Sequence, residues 1–408
     1  MTAPVEPDAI LRAHQAIRDV ARHTPVLPSS TLTDRCGGAV VLKAENLQRT
    51  GSFKVRGALN KLAALFSGPG GCTSGVVCGS AGNHAQALAF AARERGVPCE
   101  VFMPVLAPIA KAEGAAELGA VVRLEGASVD ECVALARARA DASGLTFVHP
   151  FDDADVVAGQ GTLGLELVAD IPDLATVVIP LGGGGLAAGV AIAVKAARPH
   201  VRVVAVQVAG CASYPASLAA GVPVAVDAAL TIADGIAVKR PGDLTLPLVR
   251  EFVDEIVIVG EDEVAEAIVL LAEKAKLVVE GAGAVGAAAL LGGQMTPADD
   301  GVTCVILSGG NLDPGLLAEV ARRHETEAGR RLVLFTRVPD RPGALAALLD
   351  LVARSGANLV DVEHLREGVG LHVRETAVQL VLQTRGRDHA DDVRRAVADG
   401  GYAARVVS

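Results

Sequence analysis

The chain reads as an α/β protein in two parts, a large body built on a parallel sheet with helices on both faces and a small β-α-β-β-α-β unit behind it. Two observations predict this. Short β-branched runs alternate with Ala-rich helical stretches through most of the chain, so that each crossover adds a parallel strand. Composition then shifts at the charged, small-residue stretch Glu325–Arg330. Residues 330–408 carry 12 Arg and no Lys against 10 Asp and Glu, whereas all seven cysteines lie before it.

In order along the body, strands are predicted at Ala39–Leu42, Gly75–Cys78, Glu100–Phe102, Ala120–Leu124, Thr176–Ile179, Val201–Val206 and Val302–Leu307. Helical segments such as Asn83–Arg95 and Ile109–Leu118 lie between them. Beyond the break, Leu332–Val338 alternates as a strand and Pro342-Gly343 opens a helix to Ala353. Asn358–His364 and Glu375–Gln383 are strands, His389–Ala398 is a helix, and Tyr402–Val407 closes the unit. That order is ferredoxin-like. The expected division is a body over 1–325 with a smaller subdomain at about 45–150, a linker at 326–330 and a unit over 331–408.

Composition excludes several classes. At 408 residues with 51 % hydrophobic and 21 % charged residues, the chain is globular. A net charge of −10, without basic runs carrying aromatics, argues against a nucleic-acid partner. Seven cysteines without a Cys-x-x-Cys pair, and an amino terminus lacking basic and apolar signal regions, predict a reducing cytosol and no metal site. Leu174–Val194 is uncharged over 21 residues, long enough to span a bilayer. Pro180 and Gly182–Gly185 at its centre divide it into strand, loop and helix start, which rejects a membrane reading.

Four segments carry chemistry. In Ser52-Phe53-Lys54-Val55-Arg56-Gly57-Ala58 a lysine partly screened from water precedes a helix, and desolvation makes its amine a nucleophile. By itself this would be a surface lysine. Ser80-Ala81-Gly82-Asn83-His84 turns a strand into a helix whose first N–H groups can hold a carboxylate, or is simply a capped loop. Gly182-Gly183-Gly184-Gly185-Leu186 follows a buried strand and lets backbone amides wrap a phosphate; a flexible linker fits poorly inside an apolar run. Ser308-Gly309-Gly310-Asn311 puts a hydroxyl at the carboxyl end of a strand, where doubly wound sheets hold ligands. Gly281-Ala282-Gly283-Ala284-Val285-Gly286 matches a dinucleotide fingerprint, but Glu280 precedes it directly and no second βαβ half follows, so tight helix packing is the better reading. Among the histidines, His14, His23, His149, His200, His324 and His389 read as solvated or loop positions, His84 as part of a carboxylate pocket, and His364 and His372 as strand-surface positions.

Taken in order, these motifs with Glu280-Gly281-Ala282 resemble the threonine dehydratases, fold-type-II pyridoxal phosphate enzymes related to the tryptophan synthase β chain, over about residues 8–325. Residues 336–345 look like the start of an ACT regulatory domain. The resemblance implies that Lys54 forms the internal aldimine with pyridoxal 5′-phosphate and later moves the substrate's Cα proton. Phe53 would lie against the cofactor ring, Asn83 bond its 3-oxygen, Gly182–Gly185 and Leu186 hold the phosphate, and Ser308 meet the pyridine nitrogen. Gly235 and Glu280 would line the cofactor, Ser80–His84 would take the substrate, and Asp340, Arg341, Pro342, Gly343 and Ala344 an amino-acid effector such as isoleucine. Ala81 stands where related serine racemases carry a proton-shuttling serine, which disfavours racemisation. Gln207 replaces a glutamate expected of relatives with a divalent-cation site, while a monovalent cation such as potassium stays compatible. The implied reaction is dehydration of L-threonine to 2-oxobutanoate and ammonia in a homo-oligomer. A serine or 3-hydroxyaspartate dehydratase or racemase, a catabolic enzyme, or a non-catalytic amino-acid sensor are the alternatives.

Overall fold

The computed structural model describes residues 5–67, 74–366 and 372–407. The chain divides into two compact units, Met1–Leu312 and Asp313–Ser408. The stretch expected as linker overlaps the last turn of helix Pro314–Glu327, which groups with the second unit.

The first unit holds two sheets. Its strands are β1 (Val26–Pro28), β2 (Ala39–Lys43), β3 (Val76–Gly79), β4 (Cys99–Met103), β5 (Val121–Leu124), β6 (Thr146–Phe147), β7 (Leu174–Pro180), β8 (Arg202–Val208), β9 (Glu255–Val259) and β10 (Val302–Ile306). The six-stranded sheet runs β1-β2-β10-β7-β8-β9 and the four-stranded sheet β5-β4-β3-β6. Every pairing is parallel except β1 with β2. The β1 strand ends at Pro28, a residue without an N–H to give to a ladder, which suits an edge. Sequence patterning missed β1, β6 and β9: the first two are only three and two residues long, and β9 is half-exposed at the opposite edge.

The uncharged run resolves as expected. It forms β7, the glycine loop and helix Gly185–Ala197, buried except at Ala175 and the last turn of the helix, and no helix among the described residues is long and apolar enough to cross a membrane. The fingerprint-like glycines fall inside the buried helix Gly281–Leu291. A Cβ on Gly281 would come within 2.2 Å of the Ile232 carbonyl, so the small residues serve close packing.

Ala, Val and Leu dominate the larger cores of this unit, one around β7, β8, β10 and helices Ala154–Asp170 and Gly185–Ala197, another around β3, β4 and helix Asn83–Arg95. A buried charge network stands against the first. The Arg56 guanidinium bonds Glu45 at 2.8 Å and Glu166 at 2.6 Å, and the Lys43 ammonium reaches Glu166 at 2.7 Å and Asp170 at 3.1 Å. Burial disfavours the charge on Arg56, but the two carboxylates overcome that and raise its pKa. His23 completes the chain on Asp170 at 2.8 Å. His23, Glu166 and Asp170 are close enough to bind a metal, yet the Lys43 ammonium contacts both carboxylates. Motif reading missed this network, although Arg56 lies within the lysine motif and the acids stand at Glu45 and Glu166.

The second unit follows helix Pro314–Glu327 with β11 (Arg331–Pro339), helix Ala344–Arg354, β12 (Asn358–Leu365), β13 (Glu375–Gln383), helix Arg387–Asp399 and β14 (Arg405–Val406). The antiparallel sheet order β12-β13-β11-β14 is the ferredoxin-like one. His389, expected in solvent, is instead buried: it bonds the Ser355 carbonyl at 2.8 Å and accepts the Arg385 N–H at 3.0 Å. Its Nδ1 caps the turn entering the last helix, a partner that sequence spacing does not reveal. Among the described cysteines, Cys78, Cys99, Cys132, Cys211 and Cys304 are buried and Cys36 is half-buried, all as free thiols.

Candidate active site

Every expected site residue of the first unit follows directly, or within a short loop, the carboxyl end of β2, β3, β7 or β10, or lies in the loops facing them. After β2 the chain makes two 3-10 turns, and Lys54 opens helix Lys54–Ser67. Segment 51–53 pairs with the loop after β10: the Gly310 N–H donates to the Gly51 carbonyl at 2.9 Å and the Phe53 N–H to the Ser308 carbonyl at 3.1 Å. Lys54 and Ser308, far apart in sequence, thus become backbone neighbours.

The Lys54 amine donates to the Pro150 carbonyl at 2.9 Å and lies 5.2 Å from the Phe53 ring centre. Burial pulls its pKa down to about 8, against the opposing pull of Glu280. At a pKa of about 8 a usable fraction of the amine is uncharged near neutral pH, enough for a nucleophile and base. Burial conversely raises the Glu280 carboxyl to about 7, with the nearby Asp234 charge adding to it. Glu280 accepts from the Asn83 amide at 2.6 Å, and its own N–H donates to Gly309 at 3.1 Å. Gly235 borders it, where a Cβ would lie 3.7 Å from the carboxylate.

Asn83 begins helix Asn83–Arg95 behind the turn Ser80-Ala81-Gly82, with no side chain capping the helix start. The Ser80 hydroxyl accepts the Gly82 N–H at 3.3 Å. His84 is buried with Nε2 against the Val148 carbonyl at 3.0 Å; burial and the Lys54 charge lower its pKa to about 3, so its ring is neutral. His149 lies in a loop as expected, but its ring is used there. Its Nδ1 accepts the N–H groups of Phe151 and Asp152 at 3.3 and 2.8 Å and shapes the loop that supplies Pro150 to Lys54.

The glycine tract between β7 and helix Gly185–Ala197 is squeezed from both sides. A Cβ on Gly183 would come within 2.3 Å of the Phe151 ring, and Gly184 holds φ +95° beside the Tyr214 hydroxyl. The Gly183 carbonyl accepts from Thr245 Oγ1 at 2.6 Å and Tyr214 at 3.2 Å, so the tract is a shaped loop rather than a linker. No side chain caps the helix that follows, whose first N–H groups lack intrahelical acceptors. Leu186 is buried in its first turn. Phe151, Tyr214, Thr245 and Asp152, which accepts the N–H groups of residues 243–245, were missed; Phe151 and Asp152 lie in a loop, and Tyr214 and Thr245 in the first turns of two short helices, without a residue pattern of their own. Gln207 is fully buried, donating to the Leu181 carbonyl at 3.3 Å and accepting the Tyr214 N–H at 3.1 Å.

These residues fit pyridoxal phosphate. The amine suits its aldehyde, the uncapped glycine cradle suits a phosphate, and the buried Ser308 at the end of β10 suits a ring nitrogen. The pyridoxal-phosphate dependent enzyme family matches residues 17–309. The chain belongs to that family.

Within this pyridoxal-phosphate family, an L-threonine ammonia-lyase of Thermotoga maritima is 44 % identical over 398 residues, covering 98 % of both chains. One of Geobacter sulfurreducens matches at the same identity and coverage. Among solved structures, the processed form of threonine deaminase isoform 2 from Solanum lycopersicum superposes with TM-score 0.71 at 34 % identity over 77 % of this chain and 88 % of that one. Maize serine racemase does so with TM-score 0.73 at 34 % identity over 79 % of this chain and 99 % of that one.

The expected effector residues lie in the second unit. A cavity of about 350 Å³ is lined by Asp340, Arg341, Pro342, Leu345, His364 and Arg366 among others. Arg366 reaches the Asp340 carboxylate through two bonds of 3.1 Å. Gly343 and Ala344 form the turn into the next helix and are not among the lining residues. His364 lines this cavity from β12; His372, expected on a strand surface, is instead in the exposed turn before β13 and is not among the lining residues.

Proposed function

We propose that this chain is a pyridoxal 5′-phosphate-dependent L-threonine ammonia-lyase that forms 2-oxobutanoate and ammonia, and pyruvate from L-serine. The observation that carries the reading is a buried amine, Lys54, whose pKa burial lowers to about 8, in a chain that carries a methyl group at position 81. The full-length likeness to two L-threonine ammonia-lyases supports it.

Bound at Lys54, the cofactor supplies an electron sink for charge developing at the substrate Cα. Lys54 removes the Cα proton, and the β-hydroxyl departs with a proton as water, so that Cα is not reprotonated before the product leaves. The N–H groups of the turn Ser80–His84 hold the substrate carboxylate, and those of Gly182–Leu186 hold the cofactor phosphate. Asn83 donates to the ring 3-oxygen. Ser308 gives the ring nitrogen a neutral hydroxyl rather than a carboxylate, which shortens the lifetime of charge at Cα and favours loss of the β-hydroxyl. Ala81 cannot carry a proton to the opposite face, so racemisation has no second acid or base. Threonine and serine differ by one methyl, worth about 1–3 kcal/mol in a pocket, which is why both serve as substrates.

The second unit serves as an ACT regulatory domain whose cavity takes an amino acid such as isoleucine, Arg366 and Arg341 facing its carboxylate and Asp340 its ammonium. That assigns the enzyme to the first step of isoleucine synthesis, in the cytoplasm, as a homo-dimer or homo-tetramer, with a monovalent cation as an optional further ligand. The test is keto-acid release from L-threonine and L-serine with and without isoleucine. Rapid 2-oxobutanoate formation suppressed by isoleucine is expected. Release unaffected by isoleucine would move the enzyme to a catabolic role, and none from either substrate would leave the racemase or sensor readings.

A further inference from the structure

An amide chain runs behind Asn83. Asn311 Nδ2 donates to the Thr50 carbonyl at 2.8 Å and to Asn83 Oδ1 at 2.7 Å, with Gln86 Oε1 more distant at 3.4 Å. Asn83 Nδ2 donates in turn to Glu280 at 2.6 Å. A backbone carbonyl can only accept, so Thr50 obliges Asn311 to present its NH₂ end. Asn83 must then turn its oxygen to Asn311, which leaves its own NH₂ on the Glu280 side with one hydrogen spoken for and one to give. The orientation of Asn83 is therefore dictated from a main-chain atom two links away.

The anchor is unusual. Thr50 is a β-branched residue held at φ 60°, ψ 13°, its hydroxyl buried without a partner, and β-branched residues rarely adopt this left-handed conformation. Gly51 beside it is tight against Asn311, whose Oδ1 would lie 2.3 Å from a Cβ built there. A strained turn and a fitted glycine thus converge on one side chain.

We propose that Asn311 is a positioning residue that fixes which end of the Asn83 amide faces the cofactor ring. This rests on the reading of the site as one for pyridoxal phosphate. Asn311→Asp keeps the shape but replaces the donor fork with acceptors; Asn83 then turns its NH₂ away and its oxygen towards Glu280 and the ring.

The test uses the full chain loaded with pyridoxal phosphate and reads its visible absorbance across pH. Losing a donor to a ring oxygen disfavours the anionic form of that oxygen, so the midpoint of the visible band in Asn311→Asp moves up by about one pH unit. Cofactor retention on dilution falls about tenfold, a change of about 1.4 kcal/mol. If the Asp variant does not fold, Asn311→Ser, which loses the fork without adding charge, gives the same two shifts. A coloured variant with wild-type midpoint and retention would overturn the assignment of Asn311 alone. Wild-type chain that never colours, or that stays coloured after Lys54→Ala, would overturn the cofactor reading and this assignment with it.

Discussion

One charge cluster in each unit shows opposite treatment by the fold. In the first, Arg56 and Glu166 are almost wholly buried, 1 % and 5 % exposed, and each charge meets two or more partners. In the second, Arg366 and Asp340 pair at a cavity with side chains 61 % and 41 % exposed. A buried ion that loses its partner strands a charge in a poor solvent, so such a network holds one geometry. An exposed pair is worth about 0–1 kcal/mol and opens readily for another ligand. The buried network of the first unit thus resists rearrangement, while the exposed pair of the second opens at little cost.

The largest expected effect tests the fixed side. Lys54→Ala removes the visible absorbance of the bound cofactor and lowers 2-oxobutanoate release by at least about 10²–10⁴-fold, read by steady-state assay with added pyridoxal phosphate. Next comes the network. Arg56→Met leaves Glu45 without its guanidinium and Glu166 with Lys43 alone, and should cost about 3–5 kcal/mol in urea unfolding. A loss below about 1 kcal/mol would erase the distinction between the two units.

Much of the site was legible because strand ends, turns and glycines carry their geometry in local sequence. Lys54, Asn83, the tetraglycine tract and Ser308 each stand between a strand and the following helix, visible from residue pattern, at the carboxyl ends of strands in two mostly parallel sheets. What was not legible depends on pairs distant in sequence. Asn311 meets Asn83 across 228 positions, Arg56 meets Glu166 across 110, and Tyr214 meets Gly183 across 31. No periodicity encodes such meetings. The short strands β1 and β6 fall below the length at which alternation shows.

A smaller effect concerns Glu280, a buried acid held near an amine rather than against a full counter-ion. Its folded pKa, about 7, lies above the ordinary 4.5, so the folded state binds the proton more tightly than the unfolded one. Its contribution is therefore present below pH 4.5 and is lost as pH rises to about 7. Thermal unfolding of the cofactor-free chain should show that loss, on the order of a few kcal/mol, and Glu280→Gln should flatten it. An unchanged slope in the Gln variant would assign the pH dependence to another group.

The smallest stability effect tests the exchangeable side. Arg366→Ala removes an exposed pair and should shift unfolding by no more than about 1 kcal/mol, within what surface pairs contribute. If the cavity holds an amino acid through this guanidinium, the same variant should weaken isoleucine inhibition at least about tenfold, since a charge-assisted bond to a carboxylate is worth about 1.5–3 kcal/mol. Asp340→Asn should act alike through the ammonium end, with turnover in the absence of isoleucine unchanged. The two readouts separate what the pair does for the fold from what it does for a ligand. Inhibition intact in both variants would mean that the exposed pair is only a solvated surface contact, and that the difference between the units is one of burial without consequence for control.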